Sequence, residues 1–305
     1  MALLLSPTDI VTILIQGVLF GGILSLMAVG LTLIFGVTRV LNVAHGDFLV
    51  LGGVAAAVLF RTFGLSPFIS VLIIVPIFAL IGVGFSVLMR RPMASRTPEL
   101  AIASSVLVTL GLSNLIEGFG VRIAGLFGYN TFAIPFSALN LGTVSIGGVT
   151  LTSVLLITFF TIIALSIGMS VFVYRTDFGA LMRASMADRE IAILLGADVK
   201  RVSMVTFAIG IALAALGGTI YVLVGSLDMS AGLTLTIDAL TVVVLGGLGS
   251  FYGALIGGFI IGLAQGVVQV VLTLVGQNGG EWVSVVPLVI LIVVLIVKPT
   301  GLLRR

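Results

Sequence analysis

Ile10–Phe35 reads IVTILIQGVLFGGILSLMAVGLTLIF, 26 residues without one charged side chain. At about 1.5 Å per residue such a helix is about 39 Å long, more than the roughly 30 Å hydrocarbon core of a bilayer. Comparable apolar runs follow at 47–61, 67–89, 99–119, 150–174, 202–225, 237–249, 252–274 and 283–297. The whole chain of 305 residues is 60% hydrophobic and 8% charged, with a mean hydropathy of +1.38, so it has too little polar surface to cover a water-soluble globule. Its 39 glycines suit helices that pack closely in lipid. The expected fold is therefore all-α: a polytopic transmembrane helix bundle of eight to ten spans in a single domain, 1–305.

The few charges report topology. Arg90, Arg91 and Arg96, then five basic residues in 175–201, then Lys298, Arg304 and Arg305 mark three segments expected on the cytoplasmic side. Two spans separate the first from the second and four the second from the third, so the parity agrees. The N-terminus then lies outside, with 36–47 either a loop or a break within the membrane. Met1–Asp9 has no basic stretch, and the first span is expected to be retained and not cleaved as a signal peptide. Segment 120–149, punctuated by Gly120, Gly125, Gly128, Pro135, Asn140, Gly142 and Gly147, is the longest expected extracytoplasmic connection. A pI near 9.7 does not signal nucleic acid, because the basic residues are too few and dispersed to track phosphates. No cysteine is present for disulfides or thiolate metal sites.

Nine of the 27 residues in Arg175–Arg201 are charged. Asp188 is placed to cap a short helix, Arg189 and Glu190 open it, and Ile191, Leu194 and Leu195 share one face. Ala192 lies within it, and Gly196 stands where a left-handed C-terminal cap is expected. Two readings stand: a loop helix lying on the membrane surface, or a docking helix for a cytoplasmic protein.

Between the first two apolar runs, Asn42, His45, Gly46 and Asp47 form a polar, flexible interruption, and a helix start there offers backbone amides to an anionic group such as a solute carboxylate. Alternatively Asn42 caps the next turn while His45 and Asp47 bond each other or Arg39. Thr109, Ser113, Asn114 and Glu117 are spaced to share one polar side of the fourth span, facing either a pathway or a neighbouring helix. Asp228 and Asp238 are expected near the outer mouth, solvated. Gly246, Gly247 and Gly249 lack the Lys-Ser or Lys-Thr of a phosphate loop. Gly253 with Gly257, Gly258 with Gly262 and Gly262 with Gly266 read instead as close-packing pairs. A lone histidine with no cysteine argues against a metal site.

Glu190, Ala192 and Gly196 resemble the Glu-Ala-Ala motif with which ABC importer permeases contact their ATPase, Ile191 replacing the first alanine. Gly30–Gly53 (GLTLIFGVTRVLNVAHGDFLVLGG) strongly resembles the LivH-like permeases, the membrane subunits of importers for branched-chain amino acids and related solutes. LGGLGSFYGALIGG, within Ala239–Gly258, and VKPTGL at Val297–Leu302 are similar to the same family. The resemblance spans essentially the whole sequence. It implies a non-enzymatic transport subunit of a bacterial cytoplasmic (inner) membrane, without a cofactor of its own, ATP and magnesium belonging to partner subunits. The implied partners are a second, related permease in a heterodimer, two cytoplasmic ATPases, a periplasmic solute-binding protein and a small-molecule solute: a branched-chain amino acid, amide, urea or aromatic acid. A secondary carrier or channel is the alternative, and it needs an intramembrane ion site where an ABC permease needs a pathway and a docking helix.

Overall fold

A computed structural model describes residues 7–93, 97–126, 131–139, 141–146, 149–194, 196–275, 282–298 and 301–302. Leu195, Arg96, Gly128, Asn140, Gly147, Arg304 and Arg305, named above, lie outside that set. The elements in order are α1 (Pro7–Thr38), α2 (His45–Phe63), α3 (Pro67–Leu88), the short α4 (Arg90–Met93) and α5 (Pro98–Leu126). A 3₁₀ turn at Phe136–Leu139 and a hairpin of β1 (Thr143–Ile146) and β2 (Val149–Thr152) follow. Then come α6 (Ser153–Arg175), α7 (Asp177–Ala187), α8 (Arg189–Leu194), α9 (Val199–Val224), α10 (Gly232–Gly246), α11 (Phe251–Leu274) and α12 (Val285–Val297).

Seven of these helices are long and apolar enough to cross a membrane, and α10 and α12 are shorter apolar helices. Together they match the nine expected runs one for one. The protein is a multi-pass membrane helix bundle. Its exposed apolar side chains, such as Leu72, Leu80, Leu107 and Ile296, suit contact with lipid.

At the centre, α1 and α9 are buried and antiparallel: Gly30 lies against the Gly210 carbonyl and Gly217 against Ile23. The most extensive packing joins α1 to α11 and α3 to α9. Glycine makes the first of these contacts possible, since a methyl group on Gly262 would collide with Gly17 and Gly21 of α1. The close-packing reading of the α11 glycines is thus realised between helices.

The chain has an internal likeness. In α1–α2–α3, a long central helix is followed by a non-helical break and a helix that begins inside the bundle. In α9–α10–α11 the same layout recurs with its central helix running the opposite way. Such inverted repeats characteristically place a transport site where they meet.

Several boundaries differ from the sequence reading. Helix α5 continues to Leu126, so Gly120 and Gly125 are helical and not turns. In lipid each backbone group must be bonded within the segment, and that outweighs glycine's weak helix propensity. The shorter connection beyond is tied back by Phe132 and Leu227, which exchange amide-to-carbonyl bonds of 2.7 and 2.9 Å. Helix α10 starts at Gly232 and not at 237, and stops at Gly247, whose φ of 98° no other residue adopts readily.

Candidate functional site

Two internal helix starts meet in the bundle. Residues 39–44 leave the end of α1 and turn back beside it, so that His45 opens α2 level with Met27, where its Nε2 donates to the Met27 carbonyl at 3.1 Å. The interruption expected over 36–47 is thus narrowed to 39–44, its flanks belonging to α1 and α2, and it is a break within the bundle and not a surface loop. A methyl group on Gly232, at the start of α10, would collide with the Asp47 carboxylate. The two first turns are in direct contact.

Broken backbone at this depth must find partners. Hydroxyls of α5 supply them: the Leu41 amide donates to Ser105 Oγ at 3.1 Å and the Val43 amide to Thr109 Oγ1 at 3.0 Å. Ser105 and Thr109 stand one turn apart as two rungs, and the buried Ser113 follows at the next turn of the same face. From α10, Thr236 Oγ1 accepts the Gly46 amide at 2.8 Å and donates to the Val43 carbonyl at 2.8 Å.

What remains unbonded is as telling. Asn42 is 0% exposed and both its amide nitrogen and oxygen lack a partner; His45 Nδ1 and Asp47 Oδ2 are likewise buried and unbonded. Buried polar atoms left this way cost free energy, and they concentrate where a ligand or water is taken up. Asn42 does not cap α2, whose N-cap is Ala44, and His45 bonds neither Asp47 nor Arg39. The local capping alternative fails because residues 39–44 are drawn inward by α5 and α10.

Asn114 is not part of this cluster. It is exposed, and its side chain donates to the Leu110 carbonyl of its own helix at 2.8 Å. One residue along a helix turns a side chain by about 100°, which takes Asn114 off the Ser113 face. Asp238 also departs from expectation: it is 6% exposed within α10 and not solvated at a mouth. Ser105, Gly232 and Thr236 escaped the sequence reading; Ser105 extends the visible i, i+4 spacing, whereas nothing local to Gly232 or Thr236 points to residue 46.

At the other end, residues 175–201 form a compact helical elbow. Helix α7 is capped by Thr176, which accepts the Gly179 amide at 3.0 Å. Asp188 Oδ1 accepts the amides of Glu190 and Ile191 at 2.9 and 3.0 Å, the expected N-cap of α8. Gly196 has φ +86°, and the Gly196 and Ala197 amides bond the carbonyls of Ile193 and Ala192, closing α8 in a Schellman turn. Ala192 is buried and Arg189 half-buried, while Glu190, Ile191 and Leu194 are exposed, Leu194 by 85%.

The elbow touches the bundle at defined points. Arg183 donates to the Val173 carbonyl and lies 5.2 Å from the Tyr174 ring centre, and Tyr174 stacks on Tyr252 of α11 at 4.9 Å. Met186, at the end of α7, packs on Gly36 of α1, and Arg39 Nη2 donates to its carbonyl at 3.5 Å. Arg39 is itself the first residue of the break and adopts φ +57°. The exposed elbow and the buried junction are thus joined by a short run of chain.

A membrane bundle with an internal break, unsatisfied polar atoms at its centre and an exposed capped helix at one end is the architecture of a transport subunit. Residues 13–295 match the family described as branched-chain amino acid transport system / permease component, and the chain belongs to that family of non-enzymatic permease subunits. It is 31% identical to the high-affinity branched-chain amino acid transport system permease protein LivH of Salmonella typhimurium, over 95% of this chain and 94% of the relative. The protein of the same name from Escherichia coli K12 is 28% identical over 95% and 94%. BraD of Pseudomonas aeruginosa, named as the corresponding permease protein, is 26% identical over 96% and 95%.

Proposed function

We propose that this chain forms half of the translocation pathway of an ATP-driven importer of branched-chain amino acids or similar small solutes in a bacterial inner membrane. Its partners are a second, related permease, two cytoplasmic ATPases that carry the ATP and magnesium, and a periplasmic binding protein that delivers solute. The single observation that carries this reading is α8: a helix capped at both ends, presenting Leu194 and Ile191 to solvent at one end of a membrane bundle. A soluble partner with an apolar groove covers such a surface, and charge at Asp188, Arg189 and Glu190 orients it.

The pathway runs along the break, past Asn42, His45 and Gly46 and beside Thr109 and Ser113. Asn114, on the outer face of α5, belongs to the side open to the second permease. ATP-driven closure of the ATPases displaces α8, and α7 passes the motion through Met186 to Arg39 and the break.

The test is ATP hydrolysis by the purified complex in lipid nanodiscs with binding protein alone, with leucine, and with a panel of amides and aromatic acids. Stimulation by one loaded binding protein establishes the importer and its solute class. Glu190→Lys should uncouple hydrolysis from transport while membrane insertion persists; normal solute-stimulated hydrolysis in that variant would remove α8 from the docking role.

A further inference from the structure

Helix α10 starts against α2 and ends, 15 residues later, in a turn that a distant part of the chain holds. The last carbonyls of a helix find no partner within it. Here Val244 accepts the Gly247 amide at 3.1 Å, and Leu245 accepts the Leu302 amide at 2.8 Å. Gly301, buried and with φ +83°, lies directly on Gly247, where a Cβ would collide with the Gly247 backbone and the Val244 carbonyl. The Gly301 amide donates to the Lys298 carbonyl at 2.9 Å, and Lys298 Nζ donates to the Leu302 carbonyl at 2.9 Å. The segment after α12 is thus folded into a clip around that contact. The runs LGGLGS and VKPTGL are two sides of one joint, each supplying a glycine of positive φ where the two backbones touch.

The elbow reaches the same turn. The Met186 methyl sits where a Cβ on Gly36 of α1 would overlap it, and a Cβ on Gly249, in the turn after α10, would stand 3.9 Å from that methyl. Met186 therefore lies between the end of α1 and the end of α10. At its other end α10 meets α2, through Gly232 on the Asp47 carboxylate and Thr236 on the Gly46 amide. A helix of this length is a rod of about 22 Å. It carries a displacement from the turn to the junction when its cytoplasmic end is held, and the clip holds it.

We infer that Gly301 and Leu302 are positioning residues for transport: by clamping the cytoplasmic end of α10 they let Met186 move α10, as well as α1, against the start of α2. The inference rests on the importer reading above and adds a second arm, through α10, beside the one through Arg39 and the break. The clip stays closed through the cycle, and what moves is the helix it holds.

The experiment uses the purified complex with its binding protein in nanodiscs. It reads the ratio of ATP hydrolysis with and without solute on the binding protein, beside the thermal midpoint and the recovery of the ATPases. Deletion of 299–305 is compared with deletion of 303–305, so that both lack Arg304 and Arg305 and only the first loses Gly301 and Leu302. The longer deletion and Gly301→Val should each lower the ratio by about fivefold or more, the lower end of couplings between linked sites, with the ATPases recovered as in the parent. The shorter deletion should leave the ratio unchanged. A second measurement does not depend on those variants folding. The chain has no cysteine, so Leu248→Cys with Leu302→Cys, both exposed positions, permits a short bis-maleimide bridge across the joint. The bridged complex should keep its full response to solute. A lowered midpoint with the ratio intact would reduce the clip to fold support and overturn the inference. So would a bridged complex that hydrolyses ATP and ignores solute, because the clip would then have to open. Either result, with the parent stimulated by solute, leaves the importer reading standing; a parent complex that no loaded binding protein stimulates removes that reading and the inference with it.

Discussion

Thr236 of α10 holds Gly46 of α2 by a 2.8 Å bond from the Gly46 amide to its hydroxyl, and the same hydroxyl donates to the Val43 carbonyl. One side chain thereby joins the two helix starts and both ends of the turn before α2. Thr236→Val keeps the shape and removes the hydroxyl, leaving a buried donor and acceptor unpaired at a cost of about 1–3 kcal/mol. A lowered thermal midpoint of the purified complex checks this, and Thr236→Ser should restore most of the loss.

Gly232 faces the Asp47 carboxylate with no room for a Cβ. Gly232→Ala must push α10 away from α2 or turn Asp47 aside, an overpacking of about 1–3 kcal/mol. Solute transport should fall more than stability does, because the displaced atoms are those at the junction. Uptake in proteoliposomes measured beside the thermal midpoint separates the two effects.

Thr109 accepts the Val43 amide at 3.0 Å as one rung of the α5 ladder. Thr109→Val strands that amide at depth, whereas Asn114→Ala on the neighbouring exposed face removes only a bond to its own helix. The expected costs are about 1–3 kcal/mol for the first and within about 0.5 kcal/mol for the second. Equal unfolding midpoints would show that the ladder does not support the break.

Leu194 is exposed and Gly196 has φ +86°. Leu194→Asp should leave the bundle's stability within about 0.5 kcal/mol of the parent and weaken recovery of the ATPases by pull-down. Gly196→Val strains the turn that ends α8 by about 1–3 kcal/mol, and should uncouple hydrolysis from transport while insertion persists.

The apolar runs, their number and the two caps of α8 were all legible in the sequence. Bilayer thickness dictates span length, and Asp188 and Gly196 act on amides and dihedral angles within a few residues of themselves. The break at 39–44 was legible too, as a polar interruption, but not its depth. Depth depends on Ser105, Thr109 and Thr236, which lie 64, 66 and 193 residues from the backbone atoms they bond.

A multi-pass helical bundle with a capped helix was readable from the residues alone, because solvent choice and capping are local in the chain. Packing alone settles that α2 and α10 begin against one another, with Gly232 on the Asp47 carboxylate, and that Asn114 turns away from the junction while Asp238 is buried. Those outcomes follow from helix crossings set by glycine contacts such as Gly21 with Gly258, and from hydrogen bonds that buried backbone must find wherever packing brings a partner.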